Sequence, residues 1–230
     1  MIAPVSILGY ADLGRLMDLQ LGDEKHTPSA TSTLDVIWVL YDRVLRVAPE
    51  RTTDPDRDRF LLSKGHGPMA YYAVLAAKGF MDLDALRSFG RYDSPLGHHP
   101  DRNLVAGIEI SSGSLGHGLG LAVGLCLGLR ARQSPARVFC LVGDAELEEG
   151  SNHEAIAYAG RTGLDRLVCV VVDNRSSSLG WPGGLTSRFA IEGWSTATVD
   201  GRDHDGLERA FKAEHPRRPH AVVAEVEPKS

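Results

Sequence analysis

Two apolar runs of the same shape predict an α/β fold, a central and mostly parallel sheet flanked by helices on both faces. Val138 to Val142 and Leu167 to Val172 are short, rich in β-branched residues, and stop at a small or acidic residue, as strands buried on both sides do. Between them, Asn152 to Gly163 sets Ala155, Ile156 and Ala159 near one face of a helix. Strand, helix and strand joined by short links form a βαβ unit, so the strands run parallel and their carboxyl ends open on one edge. Composition agrees, with 43% hydrophobic and 24% charged residues. The 230 residues contain no linker-like stretch in their middle and read as one domain spanning 1–230.

Taken in order, the chain opens with Leu13, Leu16, Met17 and Leu21 at helical spacing, up to about Asp23. Lys25 to Ser32 is a polar loop, and the stripe Leu34, Ile37, Trp38, Tyr41, Val44 and Leu45 is a helix that Ser32 or Thr33 would cap. Asp54 to Gly67 reads as a charged turn, a short buried strand and a glycine-flanked histidine, His66, leading into a helix from Pro68 to Lys78. That helix buries Met69, Tyr72, Ala73 and Ala76, and a short helix, Asp82 to Phe89, follows. Glycines on both sides let the backbone approach a ligand closely, and a histidine so placed can donate to phosphate or sugar oxygens; a helix-start turn has the same composition. His98 and His99 are adjacent, but no Cys or acidic partner lies at zinc-ligand spacing.

Ile108 to Gly118 predicts a strand, a glycine-rich turn and then a helix with Leu119, Ala122, Val123, Cys126 and Leu129 inward. Such a turn can bring bare backbone groups to an anion or a flat ring, though tight packing uses the same residues. Beyond the βαβ unit, Gly193 to Gly201, a helix opening near Asp205 and a last strand, Ala221 to Val226, complete the sheet.

The βαβ geometry sets Asp144 and Asn174 side by side at two strand tips. A hard divalent cation such as Mg²⁺ takes oxygen ligands of this kind together with phosphate oxygens, and open parallel sheets bind ligands beyond their strand ends. Read alone, Asp144 equally suits a helix cap and Asn174 a turn.

Other classes are disfavoured. A net charge of −5 offers no broad basic surface for nucleic acid. The most apolar long window, Leu115 to Leu129, holds His117 and falls short of a membrane span, and the first residues lack the charged start of a signal peptide. Cys126, Cys140 and Cys169 lie inside apolar runs without ligand spacing, which predicts buried free thiols and a cytoplasmic setting.

Gly143-Asp144-Ala145-Glu146 with Asn174 thirty positions after Asp144 resembles the thiamine diphosphate fingerprint, and Ser63-Lys64-Gly65-His66-Gly67 and Ser112 to Gly118 make the likeness one to the N-terminal subunit of transketolase. It covers roughly His26 to Val226. The resemblance implies the thiamine diphosphate-binding fold, with thiamine diphosphate and Mg²⁺ as cofactors. It places Asp144, Asn174 and the Ser176 carbonyl on the metal, and Gly143 and the Ala145 N–H beside the diphosphate. It also puts backbone of Gly113, Ser114 and Leu115 against the aminopyrimidine and His66 at the cofactor. His99 would face the reacting carbon, His66 and His99 would bond the donor's hydroxyls and move protons as catalytic residues, with His26 as a third, and Glu149 and Glu154 would lie between the two cofactor sites of a dimer.

Departures are visible as well. Lys25 and Pro28 stand where glycines usually flank the His26 position, His98 replaces a glycine, His117 a glutamine and Ala145 a glycine. A left-handed backbone at Ala145 would cost about 1–2 kcal/mol. A pyruvate-dehydrogenase-type subunit shares the fingerprint but lacks the Ser-Lys-Gly-His segment.

The implied activity is transfer of a two-carbon ketol unit from a ketose to an acceptor, with sugars or sugar phosphates as substrates. In the family a second domain supplies the glutamate that activates the cofactor. The expected partner is therefore a C-terminal subunit carrying the pyrimidine-binding domain, in a heterotetramer, and the chain alone is expected to be inert. Two alternatives are an acceptor that is a lipoyl or acyl group on a carrier protein, in specialised metabolism, and a non-catalytic cofactor-binding partner subunit.

Overall fold

Strand side chains alternate between faces, so a sheet whose strands are apolar throughout must be covered twice. A computed structural model, which describes residues 8–20 and 27–228, has this arrangement. After a 3₁₀ turn at Tyr10–Asp12, the elements are α1 (Leu13–Asp18), α2 (Thr27–Val39), β1 (Arg59–Leu62), α3 (Met69–Ala77), α4 (His117–Ala131) and β2 (Val138–Gly143). There follow α5 (Gly150–Arg161), β3 (Leu167–Asp173), α6 (Leu185–Ala190), β4 (Ser195–Asp200), α7 (His204–Phe211) and β5 (His220–Glu225). Among the described residues the strands form one five-stranded sheet in the order β1-β2-β3-β5-β4. Every pairing is parallel.

The alternation divides the core. Phe139, Leu141, Val168, Val170 and Val222 pack with α1, α2, α3 and α7 on one face. Cys140, Val142, Cys169, Val171 and Val223 pack with α4, α5 and α6 on the other. The three cysteines are buried free thiols, and burial pushes the Cys126 thiol up to about 12. None of the helices, among the described residues, is long and apolar enough to cross a membrane.

Three sequence expectations need correction. The helix assigned from Leu34 spans Thr27–Val39, so Ser32 and Thr33 lie inside it and not at its start. Thr33 Oγ1 donates back to the Ala30 carbonyl at 2.9 Å, and Ser32 Oγ accepts from Lys64 Nζ at 3.2 Å. The stripe also ends differently, in a π-helical turn at Leu40–Val44.

Ile108 to Ser112 forms no strand. Glu109 pairs there with Arg57 at 2.5 Å and Arg59 at 3.7 Å, and Ser112 N–H donates to the Pro100 carbonyl at 3.1 Å. Side chains and turn contacts, not a ladder, hold the segment extended. The short helix expected over Asp82 to Phe89 is a 3₁₀ helix, Leu83–Ser88, capped by Asp82. The expectations for Leu21 and His26 fall outside the described residues.

Candidate functional site

Parallel register brings the carboxyl ends of β1, β2 and β3 to one edge. Gly143 pairs with Val172, so Asp144 and Asn174 follow directly at neighbouring strand tips. Both are buried, at 1% and 5% exposure, where a carboxylate and an amide need partners. The Asp144 carboxylate accepts from Ser176 N–H at 2.6 Å, Ser176 Oγ at 2.6 Å and Ser177 N–H at 2.9 Å. The loop after β3 is thus tied back to the tip of β2. Asn174 Oδ1 is buried and, among the described residues, has no hydrogen-bond partner. An orphaned amide oxygen beside an anchored carboxylate is the donor set a magnesium ion takes from a protein that supplies few ligands of its own. No group of three or more His, Cys, Asp or Glu side chains, among the described residues, could hold a metal. One acid, one amide and a backbone carbonyl are compatible with that finding.

Ala145 starts a 3₁₀ turn, Ala145–Glu148, directly after Asp144 (φ −57°, ψ −46°). It is absent from the residues with positive φ, so the left-handed strain expected of a non-glycine there does not arise. The third acid of that turn region, Glu148, accepts from Ser177 Oγ at 2.6 Å, Ser178 N–H at 2.7 Å and Leu179 N–H at 2.7 Å. These bonds, the Ser177 hydroxyl first, pull its carboxyl down to about 2. Glu149 and Glu154 are exposed.

A second cluster forms at the end of β1. Gly65 and Gly113 both have positive φ, +62° and +132°. A side chain on Gly65 would strike Gly113 N at 2.7 Å, and one on Gly113 would strike the His99 ring at 2.8 Å. Close stacking of these backbones therefore brings His66 and His99 together, ring centroids 5.0 Å apart and edge to face. His66 Nδ1–H donates to the Lys64 carbonyl at 2.9 Å, which makes Nε2 the basic nitrogen of the neutral ring. Ser114 and His99 are exposed, and Leu115 is half-buried. His98 is exposed and packs edge to face on Phe89, 5.3 Å between centroids, and His117 is exposed at the start of α4.

Two buried charges on this edge escape a reading of the sequence. Lys64 is 9% exposed and Glu146 is 2% exposed. Burial raises the Glu146 carboxyl, and the hydrogen bonds from Ser63, Gly116 and Gly143, with the Lys64 charge, oppose that rise. Both lie inside motifs already picked out for their neighbours, and local pattern carries no sign of burial when the partners come from distant segments.

Comparison with known proteins shows the family of the chain. Residues 16–225 match the family model described as transketolase, thiamine diphosphate binding domain. The chain is 33% identical over 206 residues to an apulose-4-phosphate transketolase subunit of Actinobacillus succinogenes, covering 86% of this chain and 75% of that one. It is 32% identical to the 6-deoxy-6-sulfo-D-fructose transketolase subunit SqwG of Clostridium sp., covering 81% and 70%. It is also 55% identical to a protein of Rhodococcoides fascians named Ferredoxin fas2, covering 94% and 72%. Iron–sulfur clusters are held by four cysteines as a rule, and the three here are buried in one core. The transketolase of Leishmania mexicana superposes with a TM-score of 0.78 at 24% identity, over 95% of this chain and 37% of that one. The chain thus spans little more than a third of the solved transketolases.

Proposed function

The chain belongs to the transketolase family through its thiamine diphosphate-binding domain, and from that premise we propose that it is the cofactor-anchoring subunit of a two-component transketolase. The observation that carries this is the buried, partnerless Asn174 Oδ1 at the strand tip next to Asp144, on the same sheet edge as the His66–His99 pair. Asp144, Asn174 and the Ser176 carbonyl would hold Mg²⁺. The Gly143 and Ala145 backbone would meet the diphosphate, and that of Gly113, Ser114 and Leu115 the pyrimidine ring. Bound thiamine diphosphate supplies the electron sink for moving a two-carbon unit.

The chain's own residues would bind and orient the donor and handle protons. His66 Nε2 and the His99 ring would hydrogen-bond a ketose's hydroxyls, and an imidazole can give or take a proton near neutral pH. His26 is a further candidate for the same role. The donor would be a ketose or ketose phosphate and the acceptor an aldose. Relatives whose names specify a subunit support a partner chain, which would carry the pyrimidine-binding domain in a heterotetramer. Residues 1–230 would form the single diphosphate-binding domain of that assembly.

A second reading has the two-carbon unit pass to a lipoyl or acyl group on a carrier protein. The departure from the family pattern around His26, where Lys25 and Pro28 replace glycines, motivates it. A third, a non-catalytic cofactor-binding partner, rests partly on Ala145, whose helical backbone removes that ground.

The test is reconstitution with the partner subunit, thiamine diphosphate and Mg²⁺, assayed with sugar phosphates and with a loaded carrier. Activity is expected only with the partner present. His66→Ala and His99→Ala are each expected to lower kcat on the order of a hundredfold, the contribution of a positioned acid–base group. Full activity in both variants would overturn a catalytic role, and turnover by the chain alone would overturn the two-component reading.

A further inference from the structure

The carboxylate of Glu146 is buried where three segments meet, and each sends it a donor. Oε1 accepts from Ser63 Oγ at 2.5 Å and from Gly116 N–H at 2.9 Å, and Oε2 accepts from Gly143 N–H at 3.2 Å. Ser63 follows β1, Gly116 closes the glycine-rich turn, and Gly143 is the tip of β2. The link continues, since Gly118 N–H in the first turn of α4 donates to Ser63 Oγ at 3.0 Å. A side chain at Gly118 would strike Ser63 Cβ at 2.2 Å, so the two backbones are packed as closely as glycine permits. The fourth connection is through the main chain. Asn152 Nδ2, from the first turn of α5, donates to the Glu146 carbonyl at 2.7 Å.

A buried charge with fixed donors is costly to place and costly to remove, because each of its partners then faces an apolar interior unpaired. Apolar side chains already hold the sheet together, and a glutamate adds nothing to that. What it does add is register. A single two-oxygen group sets Gly113–Gly116 against Gly143–Ala145, the two stretches of bare backbone assigned to the cofactor's two ends. Lys64 and Glu146 are the buried charges of this junction, and Asp144, also buried, lies two residues from Glu146, with its own bonds directed to the loop after β3.

We propose that Glu146 is a positioning residue, a buried clasp whose carboxylate fixes the glycine-rich turn to the tip of β2 at the spacing that thiamine diphosphate spans. It touches neither substrate nor metal in this role. The proposal rests on the assignment of this edge to thiamine diphosphate.

The experiment uses the full chain and four variants, Glu146→Gln, Glu146→Ala, Ser63→Ala and the double variant Glu146→Gln with Ser63→Ala. Glutamine keeps the shape but turns an N–H₂ toward donors, and Ser63→Ala removes one donor while leaving the acid, so at least one variant keeps its fold. Two quantities are measured: affinity for thiamine diphosphate with Mg²⁺ by calorimetry, and amide exchange of Gly116, Gly118 and Gly143 without ligand. Expected are an affinity loss on the order of tenfold in Glu146→Gln, typical of removing a group that orients ligands, and faster exchange at those amides. The double variant Glu146→Gln with Ser63→Ala should be no weaker than Glu146→Gln alone.

Unchanged affinity and exchange in Glu146→Gln would overturn the proposal, as would a lowered melting temperature with unchanged affinity, the mark of a merely structural group. If the unmodified chain fails to bind thiamine diphosphate, with the partner subunit present, the assignment of the edge fails instead. The exchange measurement then still decides whether Glu146 holds the turn.

Discussion

Among the described residues, Asn174 keeps an amide oxygen buried at the strand tip without a hydrogen bond, as five other buried side-chain atoms also lack one. Leaving such a group unpaired costs about 1–3 kcal/mol. Replacing Asn174 with alanine removes the orphan together with the proposed metal ligand, so the two properties should separate. Asn174→Ala is expected to melt, without ligand, at or above the temperature of the unmodified chain and to lose Mg²⁺-dependent binding of thiamine diphosphate. A fall in melting temperature with binding intact would mean that the amide is structural. Glu148 makes a different prediction at the same scale. Its carboxyl is lowered from an ordinary 4.5 to about 2 by donors from Ser177, Ser178 and Leu179. A depressed carboxyl stabilises the ordered loop above its unfolded value and loses that contribution as pH falls through its folded value. Protection of the Ser178 and Leu179 amides, taken against the intrinsic exchange rate at each pH, should therefore fall between about pH 4.5 and about pH 2, and in Glu148→Gln it should be low and flat across the same window.

At the scale of elements, the ends of β1 and β2 opposite the site are joined through Asp58. Its buried carboxylate accepts from Arg46 N–H at 3.0 Å, Arg46 Nη2 at 2.8 Å and Arg137 N–H at 2.8 Å. Burial alone would raise this carboxyl, but Arg46 and the Arg137 and Arg46 backbone N–H groups outweigh it and hold it below 3.8. Arg46 is half-exposed, so Asp58→Asn leaves unmatched donors and no buried charge, and it should lose about 1–3 kcal/mol in urea melts at pH 7. Because the carboxyl is depressed, the stabilisation is whole above about pH 3.8 and fades as the acid takes up its proton. The gap between Asp58→Asn and the unmodified chain should narrow below that pH; a constant gap would contradict the assignment. The same elements mark what local sequence can report. β2, α5 and β3 were legible because a doubly covered strand is an unbroken apolar run and the helix between has a single apolar face. The start of α2 was not, since Ser and Thr favour caps and turns in isolation, while inside the helix Ser32 and Thr33 find partners such as Lys64 and the Ala30 carbonyl. Ile108 to Ser112 misled for the converse reason. Its extended shape comes from Glu109 and the arginines across from it, which an apolar pattern mistakes for a ladder.

On the whole molecule, five strands of one direction place every carboxyl end on one edge, and that edge gathers Ser63 to His66, His99, Gly113 to Gly116, Gly143 to Glu146 and Asn174 to Ser177. Motifs named these segments one by one, yet nothing local in the sequence says that Glu146 carries the oxygen pair three of them share. Segments so far apart in the chain meet only in the folded state, so a ligand that touches several of them binds the native protein and not the unfolded one. Such a ligand stabilises by about 2.7 kcal/mol at a hundredfold excess over its Kd. For a domain of this size each kcal/mol moves the melting temperature by about 2–4 °C. Thiamine diphosphate with Mg²⁺ at that excess should therefore raise the melting temperature by about 5–10 °C. The metal and the diphosphate are expected to act jointly, because the Asp144–Asn174 pair recognises the charge of one through the other. Chelation with EDTA should abolish most of the rise, and thiamine without its diphosphate should produce none. Equal stabilisation by thiamine, or by the diphosphate form with EDTA present, would place the ligand somewhere other than the tips of β2 and β3.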